Sequence, residues 1–382
     1  MQDRGTALAD TSARSVALAV LRSGPVSRAE LARELGLSTA SLTRLTRPML
    51  SRGLLVEQQA ATVARTGRPS RPLDIDPGQA AFVGIKLTGT VAYAVVCDLK
   101  GTELHREEHP VTDRTPGGVV ELIAAITAER RAEFPQIAGL GVSLGGTVEG
   151  RRLVRQAPFL GWGTVDLAAL LEEAIDLPIS IDNDVRALAQ AEHWFGEGRG
   201  CSTLAVITVG VGTGCALVIH DQLLEGRQGL AALVGHWVLD PDGPPCERGH
   251  RGCSGVLLTS GAISRTATER LRRPVSFEQC VGLAAAGDPV AGEIVQHAAD
   301  RLGLLAARVA DLIAPERLII TGDGVDFVLQ AEATLRASLT AHRAIRSDPD
   351  DVRVVRSDFY AWARGAAAVA IRRHMLSELV VT

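Results

Sequence analysis

Between positions 39 and 47 the chain carries Thr39, Ser41, Thr43, Arg44 and Arg47, five side chains that donate hydrogen bonds, two of them always cationic. Hydroxyls and guanidinium forks are the groups that reach base edges and phosphate oxygens. A second set, Arg65, Arg68 and Arg71, surrounds Gly67 and Pro69. An extended Gly-Arg-Pro turn can carry an arginine into a narrow, A·T-rich minor groove. Both sets point to a double-stranded DNA operator as partner.

The elements that must position these groups are legible around them. Ser27 can cap a short helix, with Glu30 completing a capping box and Leu31, Ala32 and Leu35 forming its apolar stripe. Gly36 supplies a turn and Ser38 caps a second helix, in which Leu42, Leu45 and Met49 face inward and leave the five donors outward. Pro48 lacks a backbone donor and is expected to kink or shorten that helix. Residues 14–23 supply a supporting helix through Val16, Val20 and Leu21, and residues 54–57 and 73–75 read as short strands flanking the arginine-rich segment. Three helices and a basic hairpin make a winged helix-turn-helix, whose second helix docks in the major groove. Charge agrees: residues 1–78 hold 11 arginines against 7 acidic residues, a balance of +4, which leaves -8 for the rest of a chain of net charge -4.

At 382 residues and 46% hydrophobic content, two or three packed units are expected. The six cysteines lack framework spacing and the first ten residues are polar and charged, which favours a reducing cytoplasm over secretion. The longest uncharged stretch, 201–219, is broken by Gly210, Gly212 and Gly214, so no membrane span is expected. Lysine occurs twice only, at Lys86 and Lys100. Asp76-Pro77-Gly78 marks a boundary, giving a DNA-binding domain at 1–78 and a second domain at 79–382. Beyond it, strands are expected at 81–87, 91–97, 137–143, 179–181, 204–209, 216–220 and 318–321, alternating with helices at 118–134, 185–194, 290–313 and 362–375. That alternation makes an α/β body. Gly89-Thr90 and Gly212-Thr213 each lead into an aliphatic strand, a polar turn and a glycine, an echo that a duplicated lobe would give.

The order of winged helix, Gly84-Ile85-Lys86-Leu87-Thr88-Gly89-Thr90, Ile181-Asp182-Asn183-Asp184, then Gly235-His236 with spaced cysteines resembles the DNA-binding regulators of the ROK family over essentially the whole chain. The resemblance implies an α/β fold in which a winged helix-turn-helix precedes a two-lobed, actin-like (ribonuclease H-like) sugar-kinase domain, with any sugar in the cleft between lobes. It implies that Asn183 would hold sugar hydroxyls, that Asp184 is a vestigial general base, and that His236 completes the effector site. Lys86, Leu87, Thr88, Gly89 and Thr90 stand where the kinases have Asp-x-Gly-Gly-Thr, so a cation replaces the acidic group of the phosphate loop. Thr208 to Gly214 keeps the second glycine loop, and Asp323 adds a negative charge to the adenosine-side loop at 321–325. Two sugar-clamping glutamates are replaced by Leu233 and Gly255. The family's zinc ligands fall on His236, Cys246 and Cys253, with Arg248 in place of the fourth; His250 nearby as a substitute, water in the gap, or a zinc-free loop held by Gly249 and Gly252 are the alternatives.

These readings imply a cytoplasmic transcriptional regulator, a repressor rather than an activator, forming a homodimer or homotetramer. The degenerate cleft would bind a sugar or sugar derivative, without catalysis and without ATP, and zinc depends on how Arg248 is accommodated. The alternatives are a ROK-type sugar kinase with an appended DNA-binding head, and a ligand-free pseudo-kinase scaffold.

Overall fold

A computed structural model describes residues 4–58, 71–345 and 352–377. They form two compact units, one from the chain up to Gly200 together with Ala363 onward, the other spanning Cys201–Trp362.

The first unit opens with the helical head: α1 (Arg4–Ser23), α2 (Arg28–Glu34), α3 (Thr39–Ser51) and the short antiparallel strands β1 (Leu55–Glu57) and β2 (Leu73–Ile75). Helix α1 begins ten residues before the expected start at 14. The Ser27 hydroxyl accepts from Glu30 N while the Glu30 carboxylate accepts from Ser27 N at 3.0 Å, a complete capping box that holds the Glu30 carboxyl below its usual range. Ser38 caps α3 by accepting from Ser41 N. Pro48 does not shorten α3: the helix runs on to Ser51, with Arg52 N donating to Pro48 O. Because Pro48 is exposed, its missing donor interrupts the ladder on the outer face only. The inward face is Leu42, Thr46 and Met49, with Leu45 half-buried rather than central.

The body of this unit adds β3 (Ala81–Leu87), β4 (Val91–Asp98), β5 (Glu103–Pro110), α4 (Pro116–Glu133), β6 (Ile137–Leu144), the hairpin β7 (Thr147–Glu149) and β8 (Leu153–Gln156), α5 (Leu167–Ala174), β9 (Ile179–Asn183) and α6 (Asp184–Phe195). Its sheet runs β5-β4-β3-β6-β9, with β4 antiparallel to both neighbours and β3, β6 and β9 parallel. Alternate residues of β3, Val83, Ile85 and Leu87, join Val119, Ile123, Leu167 and Leu171 of α4 and α5 in one core. The intervening residues Phe82, Gly84 and Lys86 therefore face the opposite side.

The second unit contains β10 (Leu204–Val209), β11 (Thr213–Ile219), β12 (Gln222–Leu223), α7 (Ser254–Leu257), α8 (Ser260–Leu271), α9 (Phe277–Ala285), the long α10 (Pro289–Ile313), β13 (Arg317–Thr321), α11 (Asp326–Gln330), α12 (Glu332–His342) and β14 (Val352–Val354). Its sheet runs β12-β11-β10-β13-β14 with the same sequence of antiparallel and parallel pairings as the first. Both sheets thus follow the order third-second-first-fourth-fifth, and the glycine echo at Gly89 and Gly212 marks the first hairpin of each. Ile207 and Val209 of its sheet pack on Ile294, Ala298, Leu302 and Leu305 of α10.

Helix α13 (Phe359–Ser377) begins in the second unit and runs into the first. There it lies directly on the sheet: a Cβ on Gly84 would stand 2.2 Å from Ala363 O, and one on Gly141 1.9 Å from Ala366 O. Only glycine on the strands permits this backbone approach.

Candidate functional site

On the head, Thr39, Thr43, Arg44 and Arg47 are exposed along α3 and Ser41 is half-buried. The Thr43 hydroxyl donates to Thr39 O at 2.8 Å and Ser41 Oγ accepts from Ser38 Oγ. The guanidinium groups of Arg44 and Arg47 project from a helix whose opposite face is packed. At the wing base, Arg28 donates to Glu57 at 2.7 Å and to Arg71 O, and Arg71 pairs with Glu57 at 3.4 Å. These hydrogen bonds, Arg28 first, hold the Glu57 carboxyl below its usual range. Arg65 and Arg68 lie outside the described residues.

On the body, Lys86 and Asp184 form a buried ion pair, with side chains 6% and 13% exposed. Strand β3 points Lys86 to the face where α6 begins, and Asp184 is the first residue of α6. The rest of the carboxylate is engaged too: Asp184 Oδ1 accepts from Val185 N and Asn183 Nδ2. Asn183 caps α6, its Oδ1 accepting from Arg186 N at 3.2 Å while Nδ2 also donates to Gly146 O. Arg186 pairs with buried Asp182 at 2.9 Å, as does Arg151 at 2.7 Å. A general base must be open to take a hydroxyl proton. Asp184 faces the Lys86 ammonium through Oδ2 and accepts hydrogen bonds at Oδ1.

Thr88 ties the turn between β3 and β4, its hydroxyl accepting from Thr90 N and Val91 N. In the second unit, Gly210 lies so close to Asp323 that a Cβ would stand 1.8 Å from Asp323 Oδ1. Gly324 N donates to Val209 O. A carboxylate against a glycine loop opposes a nucleotide phosphate. Sequence reasoning missed Phe159, half-exposed, whose ring abuts Gly145: a Cβ there would stand 2.8 Å from the ring and 3.4 Å from Asp184 Oδ2.

The metal candidates come together in the second unit. His236 Nδ1 lies 3.5 Å from Cys246 Sγ and 3.7 Å from Cys253 Sγ, and with His250 the four ligand atoms fall within 4.8 Å of one another. Tetrahedral zinc, with bonds of about 2.1 Å to nitrogen and 2.3 Å to sulfur, places its ligand atoms roughly 3.6 Å apart. Cys246 N donates to His250 O at 2.7 Å, a tight turn through Gly249 that swings His250 inward in place of Arg248. His250 Nε2 is buried with no hydrogen-bond partner among the described residues. Burial, then the nearby Arg248 and His250, hold the His236 imidazole below its usual range, in the neutral form that ligates a metal. Burial raises the Cys253 thiol, and a bound cation would reverse that by favouring thiolate. The residues fit a metal ion in a Cys2His2 set.

The ROK family profile matches residues 82–373, well over half of the chain. The chain belongs to the ROK family. Among ROK relatives, the DNA-binding transcriptional dual regulator NagC of Escherichia coli K12 is 26% identical over 380 residues, covering 94% of this chain and 91% of that protein. A solved ROK family transcriptional regulator, a homologue of the E. coli MLC protein, superposes with TM-score 0.79 at 26% identity, over 97% of this chain and 98% of that one. A ROK family glucokinase from Streptomyces griseus, solved with glucose and AMPPNP, gives TM-score 0.65 at 27% identity, over 76% and 99%. The regulator matches span nearly the whole chain, head included, whereas the kinase match spans three quarters. The fold class is the one expected: a winged helix-turn-helix followed by a two-lobed, actin-like ROK body, on the transcriptional-regulator branch of the family. Among the described residues no helix is long and apolar enough to cross a membrane.

Proposed function

We propose that this ROK protein is a sequence-specific repressor that lays α3 in the major groove of an operator and responds to a sugar or sugar derivative without phosphorylating it. The head, residues 1–78, would contact DNA through Thr39, Ser41, Thr43, Arg44, Arg47 and Arg71, with Arg65 and Arg68 carried by the wing. Residues 79–382 would provide effector control and assembly into a homodimer or homotetramer, which paired half-sites require. Asn183 and Asp184 of the first unit would contact the effector, and His236 of the second unit is carried over from the family as a further effector residue. The Phe159 ring, beside Gly145 and Asp184, would offer an apolar face to a pyranose. Zinc, when bound, would pin the loop from His236 to Cys253 as a structural site.

The observation that carries the non-enzymatic reading is the buried Lys86–Asp184 pair, which occupies the base with an internal cation. Asp323 against Gly210 argues the same at the nucleotide end. An ATP-consuming assay over a hexose panel tests it directly. The expected result is no turnover above background, and turnover abolished by Asp184→Ala would establish the kinase alternative. Metal analysis of untagged protein tests the Cys2His2 set, and less than about a tenth of an equivalent of zinc would sink it.

A further inference from the structure

The two lysines of this arginine-rich chain both sit in ion pairs that tie distant parts of the first unit together. Lys86 pairs with Asp184 at the start of α6. Lys100, at the tip of the β4–β5 hairpin, pairs at 2.7 Å with Asp74 of β2 in the head. The Asp74 carboxylate is fully buried, accepts also from Gln58 Nε2 at 2.6 Å and Ile75 N at 2.9 Å, and packs on Gly24, where a Cβ would stand 2.4 Å from Asp74 Oδ1. A compact ammonium reaches such a crowded carboxylate where a planar guanidinium would need more room.

The far end of α6 meets the same place. Glu192 Oε2 accepts from Glu197 N, and Glu192 O accepts from Gly196 N and Gly198 N, which shapes the turn after the helix. From that turn Arg199 donates to Arg22 O at 2.7 Å and to Gly24 O at 3.3 Å, satisfying carbonyls at the end of α1. Phe195 bears on Gly101, whose Cβ would stand 2.5 Å from the ring, so α6 also touches the hairpin that carries Lys100. Between these ends α6 has 12 residues, about 18 Å of helix. It is pinned by α13, where Gly365 lies so close that a Cβ would stand 2.7 Å from the Ala187 backbone.

We propose that α6 is a coupling rod: Lys86–Asp184 sets its first turn, and Arg199 with Lys100 forms a latch that fixes the orientation of the DNA-binding head. A polyhydroxylated ligand that competes for Asp184 shifts the rod and loosens the latch. This rests on the reading of Asp184 as an effector contact; the latch itself does not.

The test is hydrogen–deuterium exchange of the intact, DNA-free protein, read at the amides of Gly24, Val26 and Leu73, which bond to Val20 O, Leu73 O and Val26 O. Lys86→Met combined with Asp184→Asn removes the pair without leaving a buried charge alone. It is expected to speed exchange at those amides about tenfold, a coupling of ordinary size. Arg199→Gln alone is expected to do the same, and the two together no more than either, because they act on one latch. If the paired variant loosens β3 amides as well, Lys86→Arg, which keeps the charge and displaces its position, gives the same reading on an intact fold. Unchanged head amides, or effects that multiply in the combined variant, would overturn the proposal. A failure of DNA binding would appear separately, as the absence of operator sites with the latch behaviour intact.

Discussion

At the scale of single residues, the Lys86 ammonium decides the surroundings of Asp184, with which it forms a buried pair. Breaking a buried pair from one side leaves an uncompensated charge, at a cost of about 3–5 kcal/mol. Lys86→Met is therefore expected to lower the thermal midpoint sharply and the double variant with Asp184→Asn to regain most of it; equal midpoints in both would show that the pair is not the constraint. His250 is a second such residue. His250→Ala is expected to reduce zinc content and the stability of the loop from His236 to Cys253, while Arg248→Ala leaves zinc in place, measured by metal analysis of the purified variants; loss of zinc on Arg248→Ala alone would contradict the Cys2His2 set. The identities of these residues were legible in the sequence, but their partners were not. Lys86 and Asp184 are 98 positions apart, and only the alternation of β3 and the start of α6 bring them together. His250 was a candidate by proximity, and the tight turn through Gly249 is what decides its place.

At the scale of elements, the head was the most legible part because capping and apolar spacing are local. Ser27, Glu30 and Ser38 cap as their types predict. Ser38→Ala is expected to cost about 1 kcal/mol of stability and to weaken operator binding by fraying the start of α3. On α3, Arg44→Ala and Arg47→Ala should each weaken the best operator by about 1–3 kcal/mol if they read bases, with less effect on unrelated DNA; uniform weakening would mean phosphate contact. In the wing, Arg68→Ala is expected to relax a preference for A·T-rich flanks, measured by binding to a library of flank sequences. Several elements escaped, among them α5, α8, α9, α12 and β14, and β5 shows why. Its Glu103–Pro110 run is rich in charge, with Glu107 engaged by Arg130 and His109, and reads as surface. It is an edge strand, and charge on an edge is how sheets avoid pairing with neighbours. The helix proline misled in the other direction, since an exposed Pro48 breaks one ladder bond without ending the helix.

At the scale of the whole molecule, two sheets with one strand order and one pattern of pairing show a duplicated lobe, of which the sequence retained the first hairpins. The later strands of each lobe carry too little common pattern to reveal it. The winged head rests on the first lobe through Arg199 and Lys100, contacts made by two long side chains and set by tertiary placement alone, so no local signal announced them. The same unit holds Asn183 and Asp184, so the head that would meet DNA and the pair that would meet an effector share one compact unit.

The most direct test of the central claim is genome-wide binding of the intact protein, followed by titration of the best site with effectors suggested by the neighbouring genes. The account predicts sharp peaks that share an inverted repeat, read by paired α3 helices and weakened by a sugar or sugar derivative. No enrichment above background would contradict it.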